Sequence, residues 1–369
     1  MILHLLFDDK FGEYAVRQFS EPEMCSEFIL VSHSKAPVCP HKYEGVKIVF
    51  EDQEGFQNLL LHLGEYKAII LHGLFYPWQE RVLRAVPASV KVAWVFWGGE
   101  IFGRSDIGLK FLSRASKQLL SIQILKRFLK GKSISHNYEI PFDLLKRIEY
   151  CLTDVPEDFA FAKEYLETDF QELWYNYYSV EETIGDLVDS KCDGNNILIG
   201  NSCSLQCNHF DGFRAIKRLR LPANAKVYVP LSYGEPWLQN TVTKWGRLLF
   251  GDCFVPLLSF LPRNEYNAII KSCAVVVMPH FRPQAFGNIL TALWLGSRVF
   301  LSEQNVLLSF FNRIGAVVFS IEQNLNNKDI IWAPLSEKER TQNRNVISAL
   351  YNKEVMRDKN LEIIRVLNQ

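Results

Sequence analysis

The 369-residue sequence is short of the features that place a protein quickly. It has no net charge: Lys plus Arg and Asp plus Glu each number 41, so no overall field draws it to nucleic acid and any basic site must be a local patch. Its eight cysteines make no CxxC pair and no Cys/His spacing able to close a zinc tetrahedron, which leaves buried thiols in a reducing compartment as their reading. Neither GxGxxG nor GxxxxGK[ST] is present, which argues against a Rossmann dinucleotide site and a Walker-type phosphate loop. The start, Met1 to Asp9, lacks the basic segment and small-residue cleavage site of an export signal, and its apolar run is too short to cross a bilayer. No spanning or secreted chain is expected.

What is present points to two folded domains. Apolar residues make up 48% and charged residues 22%, enough to bury a large core, and the length suits two domains of roughly 180 residues. Short apolar runs at Met1 to Phe7, Phe28 to Ser32, Val46 to Phe50, Lys67 to Leu71 and Lys91 to Trp97 read as strands, with helical spacing between them, as in Gln53 to Leu63. The rhythm breaks between Ile107 and Asp193. It then resumes with strands at Ile197, Lys226, Val255, Ala274, Arg298 and Ala316, again separated by helical patterns. Such βαβ alternation predicts an α/β protein of two doubly wound Rossmann-like domains facing each other across a cleft, with ligands at the carboxyl ends of the strands. The expected divisions are 1–190, 191–345 and a C-terminal helix at 346–369 that packs back on the first domain.

Three strand-to-helix loops could carry chemistry. In Met278 to Ile289, Arg282 offers a bidentate clamp for phosphate, Gly287 close approach, and the helix start free amides. Gly200-Asn201-Ser202, running on to Asn208-His209, is a second Ser/Asn-rich anion cradle, although Asn208 could equally be a helix cap. Tyr233 and Glu235 at a neighbouring strand end could hold a base or ribose, or form an ordinary turn. In the first half, Trp97-Gly98-Gly99-Glu100 leads a buried strand onto a carboxylate, and His72 closes the strand beside it. Glu100 and His72 are the candidate general bases; the alternatives are a helix-dipole carboxylate and a structural histidine. From Ile107 to Asn137 there is no acid but seven basic residues, among them Lys110, Arg114, Lys117, Lys126, Arg127 and Lys130. This insert, 107–137, is expected as two short amphipathic helices broken near Ser121, lying on anionic lipid or simply solvated.

The motifs Asp8-Asp9-Lys10-Phe11, Trp97-Gly98-Gly99-Glu100, Gly200-Asn201-Ser202 with Asn208-His209, Tyr233-Gly234, and Arg282-Pro283-Gln284-Ala285-Phe286-Gly287-Asn288 resemble those of glycosyltransferase family 56. These are the TDP-N-acetylfucosamine:lipid II N-acetylfucosaminyltransferases, also called 4-alpha-L-fucosyltransferases. The resemblance implies the GT-B architecture, a nucleotide-sugar donor held by the second domain, no metal or other cofactor, and a lipid-linked saccharide acceptor. It also implies a peripheral place on the inner face of the bacterial cytoplasmic membrane, in surface polysaccharide synthesis. Carried onto matching positions, it implies donor contacts for Gly200, Asn201, Ser202, Tyr233, Arg282, Gln284, Gly287 and Asn288. Glu100 stands where the family often has Asp, and His280-Phe281-Arg282-Pro283 departs from its pattern. No DxD motif supports a metal-dependent A-type transferase; Asp8-Asp9 is the nearest pair. Two other readings remain open at this point: a nucleotide-sugar epimerase of the same shape, and a non-catalytic scaffold in a polysaccharide assembly complex.

Overall fold

A computed structural model describes residues 1–7, 11–32, 46–131, 138–327, 331–332 and 335–369. Asp8, Asp9, Lys10 and Lys132 lie outside the described residues. Contacts divide the chain into two compact units, Met1–Arg104 with His136–Ser179 and Lys353–Gln369, and Ser105–Ser135 with Val180–Asn352.

The first unit holds a seven-stranded sheet in the order β3-β2-β1-β4-β5-β6-β7. Its strands are β1 (Ile2–Leu6), β2 (Ser26–Ser32), β3 (Lys47–Phe50), β4 (Ala68–His72), β5 (Lys91–Val95), β6 (Tyr150–Thr153) and β7 (Gln171–Trp174). The second holds a six-stranded sheet in the order β10-β9-β8-β11-β12-β13. There β8 is Asn196–Ile199, β9 Val227–Pro230, β10 Phe254–Leu257, β11 Cys273–Met278, β12 Arg298–Leu301 and β13 Phe319–Ser320. All these strand pairs are parallel. Strands covered by helices on both faces must be apolar throughout, and Ile2, Leu3, Leu5, Leu6 and Val275 to Met278 are accordingly sealed from solvent.

Each sheet reverses direction once, between β1 and β4 and between β8 and β11. Loops leaving the carboxyl ends of strands on either side of such a reversal diverge and open a crevice. The ends of β8 and β11 are therefore the candidate binding position of the second unit.

Several expectations change. β6 and β7 occupy the stretch where the sequence shows no strand rhythm: β7 is an edge strand whose Gln171 and Glu172 are exposed and whose buried side chain is Leu173, so it has no apolar run to read. The last expected strand shrinks to Phe319–Ser320. The division at 190 puts the basic insert in the first domain, but its contacts are with the second unit. Leu112 enters that unit's core, and Asn208 ties the segment down. The Asn208 side chain accepts from the Ser113 amide at 2.9 Å and the Ser116 hydroxyl at 2.9 Å, and donates to the Phe111 and Pro279 carbonyls, both at 3.2 Å. Asn208 is thus a buried four-bond clamp and makes no side-chain cap. The insert is one helix, Arg114–Leu129, preceded by a 3-10 turn at Gly108–Phe111. Ser121 does not break it; its hydroxyl donates to the Lys117 carbonyl one turn back at 3.0 Å, as serines inside helices do.

Removing the clamp strands buried polar groups. Asn208→Ala is expected to lower folding stability by about 1–3 kcal/mol, read as a shift in urea midpoint. An unchanged midpoint would mean that the insert is held by apolar packing alone.

At the other end, two helices, Glu337–Tyr351 and Lys353–Asn368, part at Asn352. The latter lends Ile363, Ile364 and Leu367 to the first unit's core, and the Lys91 ammonium donates to the Val366 carbonyl at 3.0 Å.

Candidate functional site

Three loops of the second unit meet at the β8/β11 reversal. β8 ends in Gly200, whose φ of 69° few side-chain-bearing residues adopt and whose amide donates to the Val277 carbonyl at 2.9 Å. The following turn is laced to the loop after β9: the Cys203 amide donates to the Tyr233 carbonyl at 2.7 Å and the Glu235 amide to the Cys203 carbonyl at 2.9 Å. Gly234 lies between them at φ 118°, where a Cβ would sit 2.3 Å from the Cys203 carbonyl oxygen. The Tyr233 hydroxyl accepts from Asn201 Nδ2 at 3.2 Å, and burial of that hydroxyl pushes it above its ordinary pKa. The residue as a whole is 48% exposed. Glu235 is half-buried, its carboxylate is raised by burial, and it accepts from the Trp237 indole, which commits it to its own helix start.

The third loop follows β11. Arg282 Nε donates to Gln206 Oε1, which joins this loop to the one after β8, while a terminal guanidinium nitrogen donates to the Pro283 carbonyl at 3.0 Å. Asn305 Nδ2 holds the Arg282 carbonyl at 3.0 Å. The Cys207 sulfur lies at the centre: it accepts from Gln284 Nε2 at 3.5 Å, donates to Asn201 Oδ1 at 3.3 Å and touches Ser202 Oγ at 3.3 Å. The helix Phe286–Leu295 then begins without a side-chain cap, so its first-turn amides remain available to an acceptor. The left-handed residue is Ala285, at φ 64°, and not Gly287, which sits inside the first turn with its carbonyl accepting from Thr291 Oγ1 at 2.9 Å. A non-glycine residue held there stores about 1 kcal/mol of strain, a common mark of a functional turn. Asn288 Nδ2 donates to the Tyr266 hydroxyl at 3.0 Å.

Gly200, Asn201, Ser202, Tyr233, Arg282 and Gln284 are thus brought together by direct contacts or immediate chain neighbours. Gln206, Cys207 and Ala285 hold the arrangement, and sequence reasoning did not single them out. Gln206 and Cys207 lay inside the Ser/Asn-rich turn, but nothing in that turn reveals that they reach a loop some 76 residues away.

In the first unit, Glu100 sits in the short turn Gly99–Phe102 after β5, half-buried. Its Oε1 accepts from the Trp94 indole at 3.2 Å and the Trp97 amide at 3.1 Å. Trp97 in turn belongs to an aromatic group: its ring lies 5.1 Å from Phe7, 4.7 Å from Phe11 and 5.5 Å from Phe75, centroid to centroid.

His72 is corrected as a base. It is 2% exposed and both ring nitrogens are engaged, Nε2 with His4 Nδ1 at 3.1 Å and Nδ1 with the Tyr177 hydroxyl at 2.9 Å. Trp97 Nε1 donates to Tyr177 at 2.8 Å, His4 Nε2 meets Ser26 Oγ at 3.2 Å, and that hydroxyl donates to the Met24 carbonyl at 3.3 Å. One proton arrangement serves every member: Tyr177 donates to His72 Nδ1, His72 Nε2–H to His4 Nδ1, and His4 Nε2–H to Ser26. Both imidazoles are neutral and neither has a nitrogen left for a substrate hydroxyl.

Burial lowers four histidines, His4 and His280 well below the ordinary value, His72 to about 3 and His209 to about 4. The unfolded chain binds protons on these groups near pH 6.5 while the folded chain does not, so acid favours unfolding. Stability is expected to be full above about pH 7 and to fall as pH drops from about 6.5 toward 4. A melting temperature that stays level or rises over that window would contradict neutral buried imidazoles.

The six basic residues do not join either site. They lie on the Gly108–Phe111 turn and along or just past the Arg114–Leu129 helix, exposed except for a half-buried Arg127. Among the described residues no group of three or more His, Cys, Asp or Glu could hold a metal ion, and no helix is long and apolar enough to cross a membrane.

No protein-family model matches the chain, and no curated protein matches it. Solved structures do. Sucrose-phosphate synthase from Thermosynechococcus elongatus is 12% identical with a TM-score of 0.64, covering 100% of this chain and 99% of its own. HepE of Anabaena, in complex with UDP and glucose, is 10% identical with a TM-score of 0.62 over 100% and 99%. A glycosyltransferase from Rickettsia africae is 12% identical with a TM-score of 0.63 over 99% and 98%. At such identities the likeness is one of fold: two parallel-sheet α/β domains of the GT-B architecture.

Proposed function

We propose that this chain is a glycosyltransferase that moves a deoxy-amino sugar, of the 4-acetamido-4,6-dideoxygalactose type, from a TDP or other nucleoside diphosphate donor. The acceptor is a saccharide carried on undecaprenyl diphosphate at the inner face of the bacterial cytoplasmic membrane. The observation that carries the reading is the meeting of two strand-to-helix loops at the β8/β11 reversal, joined by Arg282 and Gln206. An uncapped helix start and a guanidinium suit a diphosphate, and the half-exposed aromatic residue Tyr233 suits a base or ribose. HepE, of like fold, was solved with UDP and glucose.

In this reading an acceptor hydroxyl attacks the anomeric carbon, the bond from that carbon to the diphosphate oxygen breaks, and Glu100 takes the hydroxyl proton. The charge arriving on the departing diphosphate is met by Arg282 and the amides of Gly287 and Asn288. Lys110, Arg114, Lys117, Lys126, Arg127 and Lys130 favour an anionic membrane surface.

The test is thermal shift with TDP, UDP and other nucleoside diphosphates at millimolar concentration. A ligand present at a hundred times its Kd adds about 2.7 kcal/mol to folding stability, a shift of several degrees. If no nucleoside diphosphate stabilises the protein, the reading fails.

A further inference from the structure

Three helices of the second unit, Arg114–Leu129, His209–Lys217 and Pro236–Phe250, lie side by side with the His209–Lys217 helix between the other two. They enclose a groove of about 430 Å³. Leu119, Phe210 and Leu249 line it and pack down onto the core, while Ile122 and Trp245 stand at its rim, 49% and 46% exposed. Arg214, Lys217 and Arg218 line its remaining side, all exposed, with the Lys217 ammonium donating to the Leu249 carbonyl at 2.7 Å.

The same helices carry further exposed apolar side chains outside the groove lining. Over the last two turns of the Arg114–Leu129 helix, Leu125, Phe128 and Leu129 are 57%, 77% and 74% exposed, and Leu248 on the Pro236–Phe250 helix is 75% exposed. Large apolar side chains clustered this openly mark a surface that is covered in use. The charge is as one-sided as the hydrophobicity. Neither outer helix contains an acidic residue, and the middle one has Asp211 alone, in a chain whose acids and bases balance at 41 each.

We propose that this three-helix face docks on an anionic lipid bilayer, an acyl chain entering the groove and lipid phosphates meeting Arg214, Lys217 and Arg218. A bilayer supplies apolar depth and negative charge together, which is what a basic, apolar face with a single acidic residue requires. A second copy of the chain is disfavoured, since a two-fold contact through this face would set cations against cations. The inference deepens the membrane contact of the proposed function, moving it from a charged insert to a composite face. It rests on that reading only for the presence of a membrane acceptor.

The test sediments the full chain with sucrose-loaded vesicles of phosphatidylcholine alone or mixed with phosphatidylglycerol. Binding is expected to the mixed vesicles only and to weaken severalfold at high salt. Leu125→Ser/Phe128→Ser/Leu129→Ser and Arg214→Gln/Lys217→Gln/Arg218→Gln are each expected to lose at least tenfold in vesicle affinity. These positions are exposed, so folding is retained, and nucleoside diphosphate thermal shifts should be unchanged. Absent binding by the unaltered chain, or variants that bind as it does, would overturn the proposal. So would a lipid-free dimer that the apolar variant converts to monomer. Vesicle binding that is variant-sensitive in a protein no nucleotide stabilises would leave the docking face standing and remove the transferase reading.

Discussion

Arg282→Ala is expected to raise the Kd for TDP or UDP by about 30- to 150-fold, because hydrogen bonds to a charged group contribute about 2–3 kcal/mol. The prediction rests on how the guanidinium is held. Its Nε is already fixed by Gln206 and one terminal nitrogen by the Pro283 carbonyl, so the fork is oriented before any ligand arrives and little side-chain entropy is lost on binding. Two further variants separate charge from geometry. Arg282→Lys keeps the charge but not the planar fork and should fall between the unaltered protein and the alanine variant. Gln206→Ala keeps the guanidinium but removes the brace on its Nε, and a loss of about tenfold is expected from a brace worth one hydrogen bond. Calorimetric titration reads all three; unaltered affinity in a folded Arg282→Ala protein would remove Arg282 from the donor site.

Glu100→Gln is expected to lower kcat by about 10²- to 10⁴-fold, the range attributed to a positioned general base, with donor Kd unchanged. The substitution is well controlled by the local structure. Glu100 Oε1 accepts from the Trp94 indole and the Trp97 amide, and the glutamine carbonyl oxygen can accept both, so the turn should keep its shape. What changes is the negative charge and the ability to receive a proton. If the variant turns over at the full rate, Glu100 is the turn's carboxylate brace and the base lies elsewhere.

The βαβ rhythm that carries both readings was written in local pattern. Strands covered on both faces are runs such as Val275-Val276-Val277-Met278, and the loops at their ends carry Gly, Asn and Ser because tight turns and anion cradles need small and polar residues. The sequence by itself thus determined two doubly wound domains and the loops that meet at the β8/β11 reversal. It could not show that Arg282 is gripped by Gln206 or that the loops after β8 and β11 share the Cys207 sulfur. It could not show that both nitrogens of His72 are used inside the core, or that Asn208 binds the basic insert to the second unit. Each of these joins residues far apart in the chain through single side-chain bonds, and such bonds leave no period or composition behind. Period and burial are averages over neighbouring residues, readable from the chain alone; which donor meets which acceptor is settled only when the packed sheets bring their loops to one edge.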